Sequence, residues 1–216
     1  MSHATRKPWS EACERNREPI LGVLREAFAA ARDVLEIGSG TGQHAVYFAQ
    51  ALPHLTWHAS DRAEHHAGIY AWIAEAALTN LRPPLVLDVR DTPWPALAVQ
   101  NVDGVFTANT LHIMDWESVQ AAFRGIARVL HEGGTLVVYG PFNEGGKFTS
   151  DSNACFDASL RSRGTGNGLR DVEAVNALAR EMGLELLQDV TMPANNRTLV
   201  WQRMRNRHEP RFRQGE

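Results

Sequence analysis

Residues 34–42 read Val-Leu-Glu-Ile-Gly-Ser-Gly-Thr-Gly, and no other stretch of the chain limits the fold as tightly. Val34, Leu35 and Ile37 make a short apolar run with one acid, Glu36, before glycine takes every second position. Residues 43–52 follow with helical spacing of apolar side chains. A strand that feeds a helix through such a turn brings bare backbone against a ligand, because Gly38, Gly40 and Gly42 lack the Cβ that blocks approach. The start of the helix beyond it offers unpaired N–H groups. The run predicts a nucleotide-like cofactor site at the first strand–helix junction; a glycine-rich turn that binds nothing is the alternative.

The spacing separates two kinds of cofactor. The dinucleotide fingerprint is G-x-G-x-x-G, with a pyrophosphate on the helix N-terminus. Here the pattern is E-x-G-x-G-x-G: the third glycine comes one residue early, and an acid precedes the first. A carboxylate there repels a pyrophosphate but suits a cofactor carrying an ammonium and a sulfonium. Glu36-Ile37-Gly38-Ser39-Gly40-Thr41-Gly42 resembles motif I of the class I S-adenosylmethionine-dependent methyltransferases. The wider resemblance covers about residues 34–140, including the Val129–Leu136 turn before the family's fifth strand. Residues 14–21, 140–143 and 192–196 look like a narrower methyltransferase-like family whose substrate is unknown.

Strands and helices alternate along the chain. Helix is expected at 10–30, 69–77, 116–130, 154–161 and 171–182. Strands are expected at 34–37, 55–60, 85–89, 102–108, 135–139, 184–190 and 198–203. Short apolar strands at that rhythm predict an α/β fold with a parallel sheet covered on both faces. The resemblance sharpens this to a Rossmann-like, doubly wound, mostly parallel seven-stranded sheet whose last strand is antiparallel. The expected organisation is a single domain over 1–204, with an N-terminal helical lid at about 8–30, an insert at about 143–168 and a charged tail at 205–216.

In open α/β sheets ligands sit outside the carboxyl ends of the strands. Asp61 ends the second strand about twenty residues past the glycine loop, where an acid accepts from ribose hydroxyls; Asp is also a common helix N-cap. Arg62 beside it is assigned to the same cofactor site, as are Ser39 and Thr41 within the loop. The resemblance implies that Asp88 accepts from the adenine amine with the Val89 N–H as donor. It places Asn109, Thr110 and Leu111 beneath the cofactor's sulfur and amino-acid end. His44 lines the same cavity or lies on the helix surface. The polar run of residues 14–18 reads either as a solvated first turn or as a lid, with Asn16 reaching the cofactor carboxylate.

On the acceptor side His112 is the expected general base by its intrinsic pKa, and Tyr139 is expected to orient the acceptor. Asn143, Phe156, Arg161 and Arg197 are assigned to the substrate, the two arginines because a guanidinium reads a carboxylate bidentately. Asn195 and Asn196 face the pocket or form a turn. No metal site is expected: His54, His58, His65 and His66 lack ligand spacing.

The net charge is −3 over 216 residues, which offers no basic field for a phosphate backbone and argues against a nucleic-acid partner. No apolar run approaches the ~20 residues that span a bilayer. Two cysteines without CxxC spacing and a start without an apolar core imply a reducing cytoplasm. The expected activity is methyl transfer from S-adenosyl-L-methionine to a small-molecule acceptor. A catalytically silent module binding that cofactor or S-adenosylhomocysteine, or a nicotinamide-dependent oxidoreductase, are the alternatives. Oligomeric state is not legible.

Overall fold

The short apolar runs become eight strands in a computed structural model that describes residues 7–94, 101–164 and 166–205. The strands are β1 (Asp33–Ile37), β2 (Thr56–Asp61), β3 (Leu81–Val86), β4 (Val102–Ala108), β5 (Leu130–Asn143), β6 (Arg170–Asp171), β7 (Leu184–Met192) and β8 (Asn196–Arg203). The helices are α1 (Glu11–Ala27), α2 (Gln43–Ala51), α3 (His66–Ala76), α4 (Trp116–Val129), α5 (Asp151–Arg163) and α6 (Val172–Glu181). The main path runs β3-β2-β1-β4-β5-β8-β7, and β6 pairs with the end of β5. Strands β1 to β5 pair in parallel, and β8 is antiparallel to both β5 and β7. The seven-stranded path with an antiparallel last strand is the expected one; the two-residue β6 is an addition the sequence did not signal. Except for Arg205, the expected charged tail lies outside the described residues.

Side-chain alternation puts a core on each face of the sheet. Leu35, Val105, Leu136 and Trp201 meet Phe123 and Ile126 of α4 and Val175 and Leu178 of α6. Val34, Phe106 and Val137 face the other way and meet Ile20, Leu21 and Leu24 of α1 with Phe48 of α2 and Ile69 of α3. Each such side chain contributes about 1.5–3 kcal/mol on burial. With cores on both faces of the central strands, a ligand is expected at the strand ends, and the strand order reverses between β1 and β4. Among the described residues, no helix is long and apolar enough to cross a membrane.

Two local expectations are corrected. The third strand begins at Leu81, not residue 85, and carries Pro83 and Pro84 inside it. It can do so because β3 is an edge strand, where a missing N–H breaks no ladder bond. Asp88 and Val89 consequently lie beyond the strand. The fourth helix ends at Val129, and the fifth strand starts at Leu130 instead of residue 135: Leu130 is already extended, and β5 runs 14 residues. Gly133, at φ +84°, lies inside that strand, in the stretch where the pairing with β4 shifts register.

Candidate functional site

The carboxyl ends of β1, β2, β4 and β5 converge at the reversal point. The loop after β1 takes a left-handed backbone at Gly38, Gly40 and Gly42, with φ of +72°, +56° and +90°. Close packing adds to this requirement at two of them. A Cβ on Gly42 would sit 3.0 Å from the Ile69 Cα, and one on Gly38 would sit 2.7 Å from Thr110 Cγ2. Gly40 is different, since nothing lies within 4 Å of its Cβ position. Its N–H donates to Asp61 Oδ2 at 2.7 Å, and Asp61 Oδ1 accepts from the Arg62 N–H at 2.7 Å. The Gly38 and Ser39 N–H groups donate to the Ser60 carbonyl at 3.0 and 2.9 Å. The loop is thus tied to the end of β2.

Glu36 lies beneath it, 2 % exposed. Its Oε2 accepts from Ser39 Oγ at 2.9 Å and Trp57 Nε1 at 3.0 Å. Burial, reinforced by the nearby Asp61 charge, pushes its pKa up to about 7 despite those donors. At the end of β4 Asn109 takes φ +59°, and its N–H donates to the Tyr139 carbonyl at 2.9 Å. Thr110 Oγ1 is 2.7 Å from Thr107 Oγ1, which donates to the Ile37 carbonyl at 2.8 Å. Leu111 opens a single 3-10 turn, Leu111–Ile113.

Some expected cofactor residues are engaged elsewhere. Asp88 takes the Arg90 guanidinium at 2.7 and 3.1 Å, and that pairing holds its carboxyl at about 2. The Val89 carbonyl accepts from Trp94 Nε1 at 3.2 Å. Arg62 pairs with Glu64 at 3.0 Å on the surface. His44 is buried against Phe48, with ring centroids 5.1 Å apart, and its Nε2 meets Asn16 Oδ1 at 2.8 Å. Burial holds that imidazole neutral, with a pKa of about 4. Asn16 and Asn196 also approach the hydroxyl of Tyr139, whose pKa burial raises. Asn16, His44 and Tyr139 therefore bridge α1, α2 and β5.

Gln43 is a residue that sequence reasoning missed. It is buried at the start of α2, accepts from the Ser10 N–H at 2.5 Å, and donates to Glu14 Oε1 at 3.1 Å. Ser10 caps α1, so the first residue after the glycine loop grips the helix that crosses over it. Further out, Trp72 Nε1 donates to the Pro8 carbonyl at 2.8 Å, and Lys7 Nζ lies 3.7 Å from the Trp72 ring centroid. No spacing rule links Ser10 to Gln43. Only a buried amide immediately after the third glycine hinted at it.

The other half of the site gathers around His112, which is 6 % exposed. Burial, with the Arg170 charge adding, pushes its pKa down to about 4. Phe156 of α5 stands edge-on to the ring at 5.3 Å between centroids. The Gly140 Cβ position would lie 3.8 Å from His112 Nδ1 and 3.9 Å from Asn109 Oδ1, so the turn after β4 packs against β5 here. Arg170, also unforeseen, donates to the carbonyls of Leu111 at 3.1 Å, Gly166 at 2.7 Å and Met114. The Gly168 N–H donates to the His112 carbonyl at 3.0 Å.

Both arginines expected to clamp a carboxylate are already paired. Arg161 meets the buried Asp157 at 2.6 Å; Arg197 meets Asp189 at 2.8 Å and Glu144 at 2.9 Å. Asp157 sits one helical turn back, Asp189 across the β7–β8 hairpin and Glu144 just after β5, which a search for cations alone overlooks. Among the described residues, Asn143 Oδ1 is buried without a partner, as are Asp171 Oδ1 and Thr198 Oγ1. All three lie on or beside the carboxyl-terminal half of β5, Asp171 paired with Asn143 and Thr198 with Tyr139. Two surface hollows lie away from it, one bordered by Ala29–Asp33, His54 and Thr56 and one by Asn176, Arg180, Gly183–Leu186 and Met204.

The arrangement is the class I methyltransferase fold. An O-methyltransferase family protein from Burkholderia thailandensis shares it with a TM-score of 0.78 at 19 % identity, covering 91 % of this chain and 58 % of that one. An O-methyltransferase family 2 protein from Planctomyces limnophilus DSM 3776, solved in complex with apigenin, gives 0.69 at 16 %, over 86 % and 61 %. PigF, solved with S-adenosylhomocysteine (SAH), gives 0.73 at 16 %, over 88 % and 56 %. The chain thus spans less than two thirds of the length of each. By sequence it belongs to DUF938, a protein family of unknown function whose profile matches residues 7–203.

Proposed function

We propose that this protein is an S-adenosyl-L-methionine-dependent methyltransferase acting on a small molecule in a reducing cytoplasm. One observation carries the reading: a three-glycine left-handed loop is tied through the Gly40 N–H to Asp61 at 2.7 Å, over a buried Glu36. No described residue beyond its chain neighbours lies within 4 Å of the Gly40 Cβ position, so backbone there can approach a ligand directly. Each Asp61 oxygen accepts one backbone N–H and keeps a lone pair for a ribose hydroxyl. The Glu36 carboxylate and the carbonyls at Asn109 and Thr110 suit an ammonium group. Asp88 and Val89 are assigned to the adenine, and α1 with the preceding residues to a lid.

Bound, the cofactor supplies a methyl group on a sulfonium. The chain's own contribution is alignment and exclusion of water from an in-line displacement. His112, neutral near pH 7, can accept a hydrogen bond or a proton from the acceptor. Tyr139, held near Asn16 and Asn196, orients it, with Asn143 and Phe156 on the acceptor wall. SAH, the cofactor named with PigF, and apigenin, the small molecule named with the Planctomyces protein, support the class of ligands.

The test is transfer of labelled methyl from S-adenosylmethionine into a small-molecule extract. Label in that fraction, lost with Asp61→Ala, is expected. Cofactor binding without transfer to any fraction would leave a silent binding module, and absence of binding would refute the reading.

A further inference from the structure

We infer that Asn143 and Asp171 form a recognition pair for a nitrogen donor on the methyl acceptor, which is therefore an amine or ammonium compound and not a carboxylate; this rests on the methyl-transfer reading above. Asp favours the N-cap because its carboxylate accepts from the first-turn N–H groups. Asp171 holds that place on α6, at φ −70° and ψ 131°, yet makes no capping bond. Its Oδ1 is buried and unpartnered, and so is the Oδ1 of Asn143, its neighbour in the parallel register of β5 and β6. Native folds leave few buried acceptors unmet. Two at adjacent positions, at the carboxyl ends of parallel strands, call for a donor from outside the chain. Because one of them is a carboxylate, a cationic N–H donor forms the stronger bond.

The pair adjoins the reacting edge. The preceding register pair is Phe142 and Arg170, and Arg170 braces the turn that carries His112. Gly140, three residues before Asn143, packs beside His112 Nδ1. On this inference an acceptor lies along β5 with its nitrogen at Asn143 and Asp171 and its other end toward His112, displacing the side chains that cover the two oxygens. The nearby guanidinium groups do not answer these oxygens. Arg170 is directed to three carbonyls, Arg161 to Asp157, and Arg197 to Asp189 and Glu144. A carboxylate on the acceptor would meet Asp171 with like charge.

Benzylamine, benzyl alcohol and benzoate probe the pair as matched rings, titrated by ligand-detected NMR against the full chain with and without SAH. Benzylamine is expected to bind about tenfold more tightly than either analogue, and Asp171→Asn to remove most of that preference. SAH affinity and the thermal midpoint of Asp171→Asn should be unchanged or higher, since the carboxylate holds no structural bond on its buried oxygen. Equal affinity for the three probes, no saturable benzylamine binding, or a lower midpoint with the preference intact would overturn the inference. Amine preference without SAH binding would remove the methyltransferase reading and leave the pair standing; SAH binding without the preference would remove the pair alone.

Discussion

Around the end of β1, Glu36, Ser39, Asp61, Thr107 and Thr110 all have protein partners, and the loop that joins them is fixed by three left-handed glycines. Along the carboxyl-terminal half of β5, on β5, β6 and β8, three buried oxygens have none among the described residues. The first half is pre-organised, so a ligand there meets donors and acceptors already in place, with little left to order. The second half is incomplete without a ligand. A site built for one constant cofactor can be closed in this way. A site that recognises an acceptor gains selectivity by leaving polar atoms that only the right molecule satisfies.

The largest test of that contrast is at the glycines. Gly42→Ala should cost about 2–4 kcal/mol of unfolding free energy, because it combines left-handed strain with a backbone contact. Gly40→Ala should cost only about 1–2 kcal/mol, since its Cβ meets open space. Chemical denaturation of the two variants ranks them, and equal losses would mean that the loop is not closely packed on α3.

Next comes Asp61→Ala, expected to weaken S-adenosylmethionine binding by about 1–3 kcal/mol as a charged acceptor is lost. Unchanged affinity in a titration would place the ribose elsewhere.

Glu36 makes the first half sensitive to pH. With its folded pKa raised from 4.5 to about 7, the folded chain keeps a proton that the unfolded chain has released, so this contribution to stability falls as pH rises from 4.5 to 7. His44 and His112 act in the opposite sense. Both are lowered from 6.5 to about 4, so their contribution falls as pH drops from 6.5 to 4. Between pH 5 and pH 8, Glu36→Gln should gain about 1–3 kcal/mol of stability relative to the parent. A parallel pair of stability profiles would show that Glu36 ionises freely. On the proposed reading, a cofactor cation beside Glu36 favours its ionised form, so binding is expected to strengthen with pH up to about 7 and to release protons.

The smallest cofactor effect is expected at His112. His112→Ala should change S-adenosylmethionine affinity by less than about 0.5 kcal/mol, while turnover on an identified acceptor falls. Equal losses in binding and turnover would move His112 into the cofactor half.

The two halves were unequally legible in the sequence. Glu36, the three glycines and Asp61 lie in a short span whose spacing states its geometry, and the alternation of apolar runs gave the order of elements around them. The start of β3 was displaced because Pro83 and Pro84 read as the boundary that introduces the strand, and only the sheet order, with β3 at the edge, shows why both can lie inside it. The acceptor half depends on distant partners. Arg170 reaches Leu111, Arg197 reaches Asp189 and Glu144, and Asp171 stands beside Asn143. Nothing local in those residues announces the pairing, so Arg161 and Arg197 looked available and Asp171 went unnoticed.

The most direct measurement is calorimetric titration of the full chain with SAH and, separately, with NAD. Saturable one-to-one heat with SAH, weakened by Asp61→Ala, and none with NAD is the predicted result. Binding of NAD, or no heat with SAH, would contradict the assignment of the loop after β1.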